Sequence, residues 1–337
     1  MQAVIVTSVK NEAPFLLEWL AHHRALGFAH FLVFSNDCAD GTDTMLDRLA
    51  ERGWLTHIRN DGPHPQGPQW AALKAADRHP VVAQADWLLC ADVDEFVNIR
   101  VGDHTLPALM AALPPTDAIA LTWRMFGNAG VVEYQDAPVS ETFTRAAPAT
   151  LGWPWRAQMF KTLFRNDGSF GKLGVHRPRD PRPDRPPRWC DGSGRDATAD
   201  LAGGRLFSDY RQNNYGLVQI NHYALGSMES YLVKADRGRA NRQADRFDLG
   251  YWVERNLCEA EDRTILSLDS TDLRAELHAD PVLGPLHRAG VVWRKERFAQ
   301  LMAQDDWRAL FARLLMTPPS RTLGPQLAAR LNSFKTT

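Results

Sequence analysis

The sequence predicts an α/β fold: a mostly parallel sheet flanked by helices, followed by a helical C-terminal extension. Three observations predict it. Short apolar, β-branched runs alternate with stretches of helical spacing through the first part of the chain. Polar clusters directly follow three of those runs, after Val6, Phe34 and Ala91, and the carboxyl ends of parallel strands are where such sheets gather ligands. The last third keeps helical spacing without a comparable series of strands.

The elements follow in order. Val4–Thr7 is a buried strand. Pro14 suits the first turn of a helix that runs through Phe15, Leu16, Trp19, Leu20 and His23 and stops at Gly27. His30–Phe34 is the second strand, and Thr42 or Asp43 caps a helix through Leu46 and Leu49. Trp54–Ile58 is the third strand, Gln69–Arg78 a helix and Trp87–Ala91 a short apolar strand. Leu106–Leu113 is a helix ended by Pro114 and Pro115, and Ile119–Trp123 is a further strand. Beyond Glu133, strands are expected at Met159–Arg165 and Leu217–Asn221, and helices at Glu229–Arg242 and Asp306–Met316. Between them, Arg177–Arg188 holds five Arg and five Pro, which excludes a helix or a central strand. With the glycines that follow, 177–204 reads as a mobile loop. The chain divides into an α/β domain over 1–240 and an extension over 241–337.

Composition narrows the function. Lys plus Arg total 39 against 40 Asp plus Glu, a net charge of −1, so no strong field favours a nucleic-acid partner. Cys38, Cys90, Cys190 and Cys258 form no C-x-x-C pair, which argues against a zinc framework or a disulfide scaffold. Neither a signal-peptide pattern nor a long apolar span is visible. A cytoplasmic location is expected, with peripheral contact at the inner face of a membrane left open, as is the oligomeric state.

The chemistry centres on Asp92-x-Asp94 behind an apolar strand. In an extended chain, residues two apart share a side, so both carboxylates are expected to face one site. They repel unless a cation lies between them, and a divalent ion with oxygen ligands resolves that. The bland alternative is a solvated turn.

Taken together, several motifs resemble the GT-A glycosyltransferases: Val4–Glu12, Trp19 with His22 and His23, Phe34–Asp37 with Asp40–Thr42, and Asp92–Phe96. The resemblance is closest to the family-2-like group with a D-x-D-E-F motif, related to family 92. Trp123–Asn128, Phe160 with Lys161, Gly174–Pro178, and Asn221–Tyr223 with Ser230 and Lys234 extend it to about residue 240. It implies a metal-dependent transfer of a hexose, inverting first with a retaining course left open, from a nucleoside-diphosphate sugar to a hydroxyl of a glycan or lipid-linked acceptor, in bacterial surface polysaccharide synthesis. UDP-type donors rank first, although uridine, guanosine and thymidine all stay open.

The resemblance also implies residue roles. Thr7, Lys10, Asn11 and Glu12 would face base and ribose, and Asp37 the nucleoside. Asp92 would lie near ribose and metal, and Asp94 would ligate the metal directly. His222 would complete the shell, and its imidazole favours Mn²⁺ over Mg²⁺. Lys161, His176, Arg177 and Lys234 are cationic candidates for the leaving diphosphate. Inversion needs a general base; Glu95 adjoins the motif, and Glu133, Glu229 and Asp236 also qualify.

Bland alternatives stand beside these. His222 can be a core histidine, Asp37 an Asx turn, and His22 and His23 packing or base-pocket residues. A nucleotidyltransferase would need a Gly-rich phosphate loop after the first strand, where Thr7–Glu12 has no glycine. A catalytically silent nucleotide- or glycan-binding module would have no need of intact Asp92, Asp94 and His222.

Overall fold

The computed structural model of the chain describes residues 1–238 and 248–334. Its strands are β1 (Ala3–Val9), β2 (His30–Ser35), β3 (Thr56–Arg59), β4 (Trp87–Cys90), β5 (Glu95–Ile99), β6 (Ala118–Met125), β7 (Arg145–Ala146), β8 (Phe160–Arg165), β9 (Phe170–Lys172), β10 (Arg179–Pro181), β11 (Trp189–Asp191), β12 (Val218–His222) and β13 (Ala260–Glu261). Its helices are α1 (Ala13–Ala25), α2 (Thr42–Glu51), α3 (Pro68–Ala76), α4 (Pro80–Ala83), α5 (Leu106–Ala112), α6 (Val139–Thr142), α7 (Thr198–Ala202), α8 (Met228–Arg237), α9 (Leu249–Arg255), α10 (Thr271–Ala279), α11 (Leu283–Met302), α12 (Asp305–Met316) and α13 (Pro325–Ser333).

The central sheet runs β3-β2-β1-β4-β8-β6-β12-β5, with β11 also pairing β6. Strands β1 to β4 are mutually parallel, and β6 is parallel to β11 and β12; β8 and β5 are antiparallel to their neighbours. Strand alternation divides the core between two faces. Ile5 and Val33 join α1 and α2 on one face, while Val4, Val6, Leu32 and Phe34 pack with α3 on the other. This is the expected α/β fold.

Two segments differ from expectation. Glu95–Ile99, expected only as the tail of a polar cluster, is a fully buried strand paired with β12. The segment 177–204, expected as a mobile loop, contains regular structure: β10 pairs β9, β11 pairs β6, and α7 follows. Its prolines fall at or between these pieces, and β11 itself (Trp189–Asp191) holds none. Arg185 pairs with Asp167 at 2.7 Å and Arg188 with Asp117 at 3.4 Å.

The C-terminal region is helical and packs on the sheet domain. α11 lies against α1, α2 and α8. Gly290 makes that approach close: a Cβ there would lie 2.6 Å from the Ala13 Cβ. Asp280 takes Arg48 and Arg52, and Asp262 pairs with buried Arg124 at 2.5 Å. The expected boundary at 240/241 and the expected end of the α8 helix at Arg242 lie outside the described residues. Among the described residues no helix is long and apolar enough to cross a membrane.

Candidate functional site

The polar loops after β1, β2 and β4 meet at one end of the sheet, but Asp92 and Asp94 do not share a side. The chain turns between them, closed by Glu95 N–H donating to Asp92 C=O at 3.0 Å. The expectation of an extended pair therefore fails, because alternation applies only to a strand and β5 starts at Glu95. Each carboxylate has its own surroundings.

Asp92 accepts from Lys161 Nζ at 3.1 Å and from Gln69 Nε2 at 3.4 Å. Lys161 is buried in β8 and also lies 3.3 Å from Glu95 Oε2. Burial works against the Lys161 charge, yet Asp92 and Glu95 hold its ammonium above the ordinary value. Glu95 is fully buried, and Oε2 accepts the Asp92 N–H at 3.0 Å. Burial pushes its carboxyl up to about 8, against the pull of Lys161. Thr7, Gln69, Asp92 and Lys161 line a cleft of about 10 Å³, room for about one water. The buried Thr7 Oγ1 has no partner among the described residues.

Asp94 has its own partners. Its Oδ2 lies 2.5 Å from Lys234 Nζ and 3.6 Å from His222 Nε2. Burial opposes the Asp94 charge, but Lys234 and His222 outweigh it and hold the carboxyl well below the usual range. Burial lowers His222, partly offset by Asp94. Its Nδ1 is buried without a partner among the described residues. Asp94 and Lys234 line a cavity of about 220 Å³ with Glu12, Glu133, Arg237 and Arg294, walled by Phe15, Tyr134 and Tyr223. Asp94 belongs to this cavity and Asp92 to the cleft.

The oxygen and nitrogen of Asp94 and His222 suit one divalent ion that completes its shell with phosphate oxygens and water. Asp92 does not join them, and among the described residues no group of three His, Cys, Asp or Glu gathers for a metal.

The other expected residues divide. Arg237 pairs with Glu12 and donates to Lys10 C=O at 2.5 Å, tying α8 to the loop after β1. Burial raises the Glu12 carboxyl, against Arg237. Asn11 (φ 53°) accepts from Ala39 N–H at 2.8 Å. Asp37 accepts from Asn36 at 2.7 Å and Gly62 N–H at 3.1 Å, so its carboxylate fastens two loops. His176 was expected as a cation, but burial and then Lys161 push it down to about 4, leaving a neutral ring near Trp123. Arg177 donates to Leu201 and Arg205 carbonyls and lines neither hollow. Glu229 accepts Tyr134 N–H at 2.9 Å. Asp236 is bound by Arg297. His22 and His23 are core residues that bond the backbone of Val97.

Gln69, Arg237 and Arg294 were not foreseen. Arg237 had a signal, since it stands three residues beyond Lys234 on one helix face. Arg294 had none: only the fold brings it to residue 94.

The sequence model described as glycosyltransferase family 92 matches residues 5–186. A glycosyltransferase family 92 protein of Oryza sativa subsp. japonica is 23% identical over 146 residues, 42% of this chain and 24% of that protein. One of Ricinus communis is 25% identical over 152 residues, 41% of this chain and 25% of that protein. The chain thus spans about a quarter of the length of these curated relatives. Among solved structures, S. aureus TarS 1-349 in complex with UDP-GlcNAc is similar at 19% identity over 49% of this chain and 45% of that one, with a TM-score of 0.30. The galactosyltransferase LgtC with donor and acceptor sugar analogs is similar at 17% identity over 35% and 46%, with a TM-score of 0.24.

Proposed function

The chain belongs to glycosyltransferase family 92, and from that premise we propose that it moves a hexose from a nucleoside-diphosphate sugar, UDP type first, to a hydroxyl of a glycan or lipid-linked acceptor. The observation that carries this reading is the turn at Asp92–Glu95, which gives each acid its own hollow. The nucleoside would lie across the mouth of the Thr7–Gln69–Asp92 cleft, which itself holds about one water, and the transferred sugar and acceptor would take the cavity beyond Asp94.

Asp94 and His222 would hold a divalent ion, Mn²⁺ in preference to Mg²⁺, which when bound supplies charge neutralisation for the leaving diphosphate. Lys161 fixes Asp92 toward the ribose. Lys234 and Arg237 bring fixed positive charge to the side where the diphosphate departs. An inverting course needs a base within reach of the acceptor hydroxyl. Glu133 suits that role: it is exposed, lines the same cavity as Asp94 and has no ion pair among the described residues. Glu95 is buried behind Lys161, and Glu229 is engaged by backbone. Synthesis of surface polysaccharide at the cytoplasmic face of a membrane is the setting this activity suits.

The test is turnover of a panel of nucleotide sugars, read as nucleoside-diphosphate release. Glu133→Gln is expected to lower kcat roughly 100-fold or more with donor KM little changed. A wild-type kcat in that variant removes Glu133 as the base.

A further inference from the structure

Arg294 is a buried cation that pairs with no carboxylate among the described residues. It comes from α11 and is 5% exposed. Nε and Nη2 are spent on Ser230, at 2.7–2.9 Å to its hydroxyl and 2.9 Å to its carbonyl. The guanidinium lies 4.7 Å from the Phe15 ring centroid and 5.7 Å from that of Tyr134. Nη1 has no hydrogen-bond partner among the described residues. Glu12 and Asp40 feel the charge, but Arg237 engages Glu12, while Ala13 N–H and Thr42 engage Asp40. Burial therefore pulls Arg294 down to about 10. A buried charge is ordinarily paired, and Arg294 lines the cavity beside Asp94.

We propose that this cavity binds a sugar bearing a carboxylate, a hexuronic acid, with the carboxylate on Arg294 Nη1 and the ring against Tyr134 and Phe15. The proposal rests on the glycosyltransferase reading of the site and names the substrate class it left open. The single open donor on Arg294 favours a carboxylate. Lys234 is engaged by Asp94 and Arg237 by Glu12, and the third lining carboxylate, Glu133, is exposed and pairs with none of the three cations among the described residues, so Arg294 is the lining cation left without an ion pair. A carboxylate brings one negative charge, whereas a phosphate monoester brings about 1.5 to 2. The aromatic walls suit a sugar face and a guanidinium alike.

The uronic residue is either the transferred sugar or the acceptor, and calorimetry on the full chain separates the two. In the donor arm, UDP-glucuronate is titrated against UDP-glucose, with Mn²⁺. In the acceptor arm, glucuronate is titrated against its methyl ester and glucose, with UDP and Mn²⁺ saturating. One arm is expected to show the acid binding roughly ten- to hundredfold tighter than its neutral counterpart. Arg294→Gln erases that difference, and Arg294→Lys keeps part of it. The wild-type comparison of acid with ester needs no variant to fold. UDP binding with equal affinity for acid and neutral sugar in both arms overturns the proposal. No binding of UDP, GDP, dTDP or CDP overturns the glycosyltransferase reading, and this proposal with it.

Discussion

Lys161 holds two carboxylates with one buried ammonium: Asp92, half in solvent, and Glu95, fully enclosed. Replacing it with Met removes the counter-charge of Asp92 and the ammonium beside Glu95, whose carboxyl, pushed up to about 8, is already mostly protonated at neutral pH. Lys161→Met is expected to lose about 1–3 kcal/mol and to weaken donor binding. Adding Glu95→Gln should restore part of the stability, read by denaturant unfolding, but not the binding. His22 carries a pH effect. Burial lowers its pKa to about 4, against an ordinary value near 6.5, so below pH 6.5 the unfolded chain takes up a proton that the folded one refuses. Stability is full above pH 6.5 and falls as pH drops toward 4, by on the order of a few kcal/mol. The midpoint of thermal unfolding should fall more steeply between pH 7 and 4.5 in wild type than in His22→Gln. At this scale the titratable types were legible, but their partners were not. Lys161 and Lys234 read as cations; that each meets a different member of Asp92-x-Asp94 depends on a turn with no glycine or proline to announce it.

Among elements, α11 matters most to the cavity. In an exposed helix interior, Gly→Ala gains up to about 1 kcal/mol. At Gly290 the new methyl meets Ala13 at 2.6 Å, so Gly290→Ala should instead lose about 1–3 kcal/mol and shift Arg294 with the helix backbone. A stability gain in equilibrium unfolding would show that α11 does not press on α1. The strands β1, β2 and β4 were legible from apolar runs, because burial on both faces leaves a nearly continuous hydrophobic signature; β6, β8 and β12 were legible although Arg124, Lys161, Gln219 and Asn221 interrupt theirs. β5 was not, since Glu95 and Asn98 interrupt its apolar pattern and their polar groups are met by Lys161, Asn221 and Thr264 from distant segments.

At the scale of the molecule, the C-terminal helices are tied to the sheet domain through buried and half-buried pairs, and they deliver Arg294 to the cavity. We therefore propose that the two parts fold as one unit. A chain ending at residue 238 would leave Arg124 without Asp262, and Arg48 and Arg52 without Asp280. It should show no cooperative unfolding transition by circular dichroism; a sharp transition would make the extension separable. The alternation of the first half announced the α/β class. Helical spacing announced the extension but not its docking, which depends on pairs more than 100 residues apart. These features converge on a nucleotide-sugar site around Asp94. Its most direct test is calorimetric titration with UDP, GDP, dTDP and CDP, each with and without Mn²⁺. One nucleotide, UDP first, is expected to bind only with Mn²⁺ and to lose that binding in a folded Asp94→Ala variant. Binding that is indifferent to both Mn²⁺ and Asp94, or the absence of binding by a folded protein, would contradict it.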